Sequence, residues 1–129
     1  MPISTIGTNS LSATAQIGSL TTASGSAPSY SARAWVNFNG TGTVAIRASG
    51  NVTSITDNGT GDYTVNFTTA LADANYSVVS TTSSDLSAIT IAYVSGTNSV
   101  ITTSSVRLVM ATSGGAAADR TYVGVAIFR

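Results

Sequence analysis

Residues 51–68 read NVTSITDNGTGDYTVNFT. The centre of this stretch, Asp57-Asn58-Gly59-Thr60-Gly61, is the strongest hairpin signal in the chain, because Asn-Gly tolerates the positive φ that tight hairpins require. On its C-terminal side Tyr63, Val65 and Phe67 alternate with Thr64, Asn66 and Thr68. That is period two, with one face apolar and the other carrying hydroxyls and amides. On its N-terminal side, Asn51 to Thr56 reads as the partner strand.

Working outward, the same grammar continues. Ala32 to Phe38 alternates in part, Asn39-Gly40-Thr41-Gly42 turns, Thr43 to Ala48 is a strand, and Ser49-Gly50 turns again. Downstream, strands are expected over Asn75 to Thr82, Ala88 to Val94, Val100 to Thr102, Val106 to Thr112 and Arg120 to Phe128. Their separators are Ser83-Ser84-Asp85, Ser95-Gly96-Thr97-Asn98 and Ser113-Gly114-Gly115. Only Ala70 to Asn75 could make a helical turn. Short strands with regular turn punctuation predict an all-β fold, an antiparallel, jelly-roll-like β-sandwich of about eight strands. Tyr122 to Phe128 is apolar on both faces, which expects a strand central in the sandwich or buried at a subunit interface. Arg129 directly behind it suggests a C-terminus tied into the sheet.

Residues 1–30 differ from the rest. They are rich in Ser, Thr, Gly and Ala, carry no charge, and hold isolated apolar residues at Ile3, Ile6, Leu11, Ile17 and Leu20. Such a segment cannot bury enough surface to fold alone. It is expected to be an extended arm, or a short strand pair, that orders against a neighbouring subunit, with a sandwich domain over 31–129 and a boundary at Ala27-Pro28-Ser29.

Composition narrows the function. Only 8% of residues are charged: five arginines and five aspartates, with no net charge. Ordinary chains carry about a quarter, so a surface of hydroxyls and amides suits a protein whose sides are covered by copies of itself or by neighbours. No basic stripe is present, which argues against nucleic acid as a partner. The N-terminus lacks the basic and apolar regions of a signal peptide, and no stretch has the ~20 apolar residues of a membrane span. A chain made in the host cytoplasm without export, yet composed like an adhesin, fits a virion component.

Catalytic chemistry has little to work with. Without histidine or cysteine, the usual serine triads, thiol chemistry and most transition-metal sites are closed, and no cofactor is expected. Asp57 and Asp62 are the one close acid pair. Their favoured reading is turn chemistry, ahead of an oxygen-only Ca2+ site and of a glycosidase pair. Trp35 sits in an apolar strand and Tyr63 shares a face with Val65 and Phe67, so both are expected in the core or an interface. Tyr30 and Tyr93 lie nearer loops. Exposed loops at 39–42, 57–61, 95–98 and 113–119 are the candidate receptor contacts, through Asn39, Asp57, Asn58, Asp62, Tyr93 and Asn98.

The run from Ala32 to Val78 reads ARAWVNFNGTGTVAIRASGNVTSITDNGTGDYTVNFTTALADANYSV. Its A-R-A-W-V-N-F-x-G opening, its N-V-x-S-I-T-D-N-G-T-G-D-Y-T-V-N-F centre and its D-A-N-Y close resemble a module of tail-fibre and related virion proteins of tailed phages and prophages. In that family the module usually follows long fibrous repeats, whereas here about thirty residues precede it. The resemblance implies a homotrimeric virion protein without catalytic residues: a short tail fibre or receptor-binding knob, with a capsid decoration (cement) protein as the alternative. Its implied partners are itself, other tail, baseplate or capsid proteins, and host cell-surface glycan.

Overall fold

The computed structural model describes residues 31–83 and 101–129, together with the backbone of 90–94. The expected arm, 1–30, lies outside the described residues. Eight strands follow in order: β1 (Ala32–Asn39), β2 (Ala45–Gly50), β3 (Val52–Gly59), β4 (Asp62–Phe67), β5 (Ser77–Thr82), β6 (Thr90–Val94), β7 (Ser105–Thr112) and β8 (Val123–Phe128). They form two antiparallel four-stranded sheets, β2-β1-β8-β5 and β3-β4-β7-β6. The fold is an all-β sandwich, as the period-two pattern expects.

Alternation explains the core. β1 and β8 turn Ala34, Val36, Phe38, Val123, Val125 and Ile127 inward, and they meet Val52, Tyr63, Val65, Phe67, Val106, Leu108 and Met110 of the second sheet. Phe38 and Tyr63 pack edge to face across the middle, centroids 5.2 Å apart. β8 lies between β1 and β5, so the strand that is apolar on both faces is central in its sheet.

Three expectations need correction. Of the expected Val100–Thr102 strand, Ile101 and Thr102 lie among the described residues, and they keep one bridge, Ile101 to Val106. The Thr102 hydroxyl accepts from the backbone N–H of Ser104 (3.1 Å) and Ser105 (2.9 Å), closing a side-chain turn that competes with the ladder. The segment from Ala70 to Asn75 is irregular rather than a helical turn. Its groups bond elsewhere, Leu71 N–H to Thr103 O (2.8 Å) and Asn75 N–H to the Asp73 carboxylate (2.8 Å). Finally, Ser49 and Gly50 belong to β2, and the reversal falls on Asn51.

Asn51 carries the chain from one sheet to the other with φ 55°. Its amide donates to Arg33 O (3.0 Å) and Thr69 O (3.1 Å), and its Oδ1 accepts from Thr69 N–H (2.8 Å). Asparagine tolerates this left-handed geometry and its side chain joins three segments. Asn51→Ala is expected to cost about 2–3 kcal/mol, and Asn51→Gly less, because glycine restores only the backbone term. Thermal melts of both variants check the order.

Candidate functional site

Three of the loops expected to be exposed meet at one end of the sandwich. Gly40 N–H donates to Arg120 O (2.8 Å), Met110 N–H to Gly61 O (2.6 Å) and Ala118 N–H to Met110 O (3.0 Å). The Asp119 carboxylate accepts from Gly61 N–H (2.6 Å) and from the Tyr63 hydroxyl (2.7 Å), which also reaches Gly40 O (2.7 Å). Loops 39–42, 57–61 and 113–119 are thus one hydrogen-bonded platform, built around a buried phenol. Ala32, where the sandwich begins, is at the opposite end of β1.

The candidate contact residues divide. Asn39 closes its own loop: its amide donates to Thr41 O (2.7 Å), and its Oδ1 accepts from the Thr41 hydroxyl (2.8 Å). Asp57 accepts from Gly59 N–H (2.9 Å), an Asx turn. Asn58 donates to the Thr64 hydroxyl (2.9 Å). Asp62 is held by Arg107 in a two-pronged pair, 2.8 Å from Nε and 2.6 Å from NH2. These bonds turn the Asp57 and Asp62 carboxylates to different partners, one structuring the turn and the other neutralised across the sheet. No group of three acids that could hold a metal ion occurs among the described residues. Tyr93 pairs with Val109 within β6 by backbone register, so it stands in a strand. Asn98, like the 95–98 loop, lies outside the described residues.

The Arg107 guanidinium holds the Asp62 carboxyl below its ordinary value of 3.8. A depressed folded-state pKa makes the pair's contribution complete above that ordinary value and lost as pH falls through the lower one. Denaturation midpoints are therefore expected to fall on acidification below about pH 4, with a shallower fall in Asp62→Asn. Urea titrations across that range check it.

The outer faces of the two sheets differ in character. On the second sheet, cross-strand register aligns Thr56, Thr64 and Arg107 in one row and Ser54, Asn66 and Ser105 in the next. The amides there are spent internally, as when Asn66 donates to the Thr56 (2.9 Å) and Ser54 (3.1 Å) hydroxyls. On the first sheet the rows are Gly50, Trp35, Ala126, Val79 and then Ala48, Asn37, Gly124, Thr81. A shallow trough of ≈370 Å³ runs over Gly124 and Ala126, walled by Trp35 and Asn37 on one side and Val79 and Thr81 on the other.

Of the two placements expected for Trp35, core or interface, the core is excluded. The side chain is 43% exposed on this outer face, because β1 gives its inward positions to Ala34, Val36 and Phe38. A Cβ on Gly50 would overlap the indole Nε1, so the ring covers that glycine. At the margin, the Arg47 guanidinium stacks 4.2 Å from the Tyr122 ring centroid and reaches Asn37 Oδ1 (3.4 Å). Nothing in the strand pattern marked Arg47 or Asp119 beforehand. The strict alternation Ala34, Val36, Phe38 against Trp35 and Asn37 was the signal that could have placed the tryptophan outside. No protein-family model matches the chain, and no curated protein or solved structure matches it either.

Proposed function

We propose that this chain is a non-enzymatic module of a tailed-phage particle, a homotrimeric short tail fibre or receptor-binding knob. The observation that carries the reading is the gathering of loops 39–42, 57–61 and 113–119 into one platform, opposite the end at which β1 begins. That polarity suits attachment at one end and contact at the other. The platform is polar and held rigid by Tyr63 and Asp119, as a surface that keeps its shape for a partner must be. The likeness of Ala32–Val78 to tail-fibre modules supports the same reading, as does the low charge. A host glycan or surface protein is the partner that this platform would meet.

Electron microscopy of purified particles, labelled with antibody against the chain, tests the proposal. Label at the tail tip or baseplate is the expected result. Label over the capsid would replace the adhesin with a cement protein, and its absence from particles would overturn the virion assignment.

A further inference from the structure

We propose that copies of this chain associate through the outer face of the β2-β1-β8-β5 sheet, with Trp35, Val79, Gly124 and Ala126 at the centre of the contact. This deepens the oligomeric part of the proposed function and rests on it. Three observations lead here.

First, the two outer faces are treated differently. Over β3, β4 and β7 the second sheet presents mainly hydroxyls, amides and an ion pair that satisfy one another, with a half-buried Val109 beside them, while the first presents Trp35, Val79 and Tyr122 at 43%, 53% and 57% exposure. Scattered apolar residues on a surface need no explanation, but a contiguous apolar patch marks an interaction site.

Second, charge selects the occupant. The central rows of the face hold no charged side chain. At its margins, Arg47 is stacked on Tyr122 and Arg33 donates to Arg129 O (3.1 Å). Nucleic acid or an anionic membrane would want a basic stripe across the face rather than two arginines at its rim, and the central rows offer a charged peptide nothing to pair with. The complement of an uncharged apolar face is another such face, and a second copy supplies one.

Third, size and relief fit. Four strands about 4.8 Å apart, each about six residues at about 3.3 Å, give a face of roughly 400 Å² in projection. Two such faces cover roughly 800 Å², in the range of small, reversible protein interfaces and beyond what a small ligand would cover. The relief runs from ridge to trough to ridge: Trp35, then Gly124 and Ala126, then Val79. Ridge and trough lie side by side, so the ridge of one copy can enter the trough of the next.

The chain carries one tryptophan, and it lies in this face. Sedimentation velocity of the full chain, paired with acrylamide quenching of Trp35, tests the inference. The expected result is an oligomer with a shielded indole, and in Val79→Arg a folded monomer whose quenching rises several-fold. Thr81→Arg, in the same trough and at an exposed position, repeats the test should Val79→Arg fail to fold; Thr53→Arg on β3 should leave the oligomer intact. An oligomer that survives both trough variants, or one in which Trp35 stays as quenchable as in a monomer, overturns this interface and leaves the oligomeric reading standing. A wild-type chain that sediments as a monomer at every concentration overturns both.

Discussion

Replacing Tyr63 with alanine is expected to remove most of the stability of the sandwich. The side chain is fully buried, packs edge to face on Phe38, and its hydroxyl joins the Gly40 carbonyl to the Asp119 carboxylate. Deleting a buried ring costs about 3–5 kcal/mol, and stranding its two partners adds about 1–3 kcal/mol. Against a total of about 5–15 kcal/mol for a domain, the variant should be largely unfolded at growth temperature. Tyr63→Phe keeps the ring and isolates the hydroxyl term, so its melting temperature should drop by about 4–20 °C. Circular dichroism melts of the two variants separate packing from hydrogen bonding.

The same phenol gives the fold an alkaline limit. Burial, reinforced by the nearby Asp119 carboxylate, pushes the Tyr63 pKa well above its ordinary 10.0. Burial likewise raises Tyr76 to about 12. In both, the fold favours the neutral form. The stability that follows is complete below pH 10.0 and is lost as pH rises through the folded-state values. The chain has no lysine or cysteine, so tyrosine is the side chain that dominates titration in this window. Phenolate absorbance from Tyr63 and Tyr76 should therefore lag in the folded protein and appear together with unfolding.

Gly61→Ala is the second change with a large expected effect. Gly61 has φ +67°, and a Cβ there would lie 2.5 Å from Met110 O and 2.6 Å from Ala118 N. Both are backbone atoms, so neither can swing aside. Left-handed geometry alone costs an alanine about 1–2 kcal/mol. The clash must also part the β3–β4 hairpin from the β7–β8 loop, breaking the Met110–Gly61 and Gly61–Asp119 hydrogen bonds. A total loss of about 3–5 kcal/mol is expected. Gly42→Ala supplies a measure of the backbone term alone: its φ is +64°, close to that of Gly61, and nothing lies within 4 Å of the added carbon. The difference between the two variants in urea denaturation reads the cost of the clash.

Much of the sandwich could be read directly from residue order. Tyr63, Val65 and Phe67 point inward because alternation permits only two sides, and the hairpin falls within the 57–61 stretch, although the reversal lies on Thr60-Gly61 while Asn58 and Gly59 remain in β3. Period two is a local property, so it survives without knowledge of neighbours. For β8 the doubly apolar pattern left two placements, central in the sandwich or at an interface, and the strand order puts it between β1 and β5. The turn at Gly50 was placed one residue early because the corner depends on Arg33, Thr68 and Thr69, which are distant in sequence from Asn51 or reached only across the corner.

The candidate sites were less legible. Asp57, Asn58 and Asp62 suggested a shared loop chemistry, but Asp62 answers to Arg107, 45 residues away, while Asp57 answers to its own turn. Sequence proximity says little about which partner an aspartate finds, because strand register chooses it. What the sequence determined alone was the two-faced strand pattern, the hairpin and the near absence of charge, each set by local sterics or composition. Tertiary structure alone decided that Tyr63 and Asp119 join three loops into one platform. It alone also decided that Trp35, Ala126 and Val79 fall in one row. Those arrangements depend on which strands pair and in what register, and pairing between segments far apart in the chain is settled only when the whole core closes.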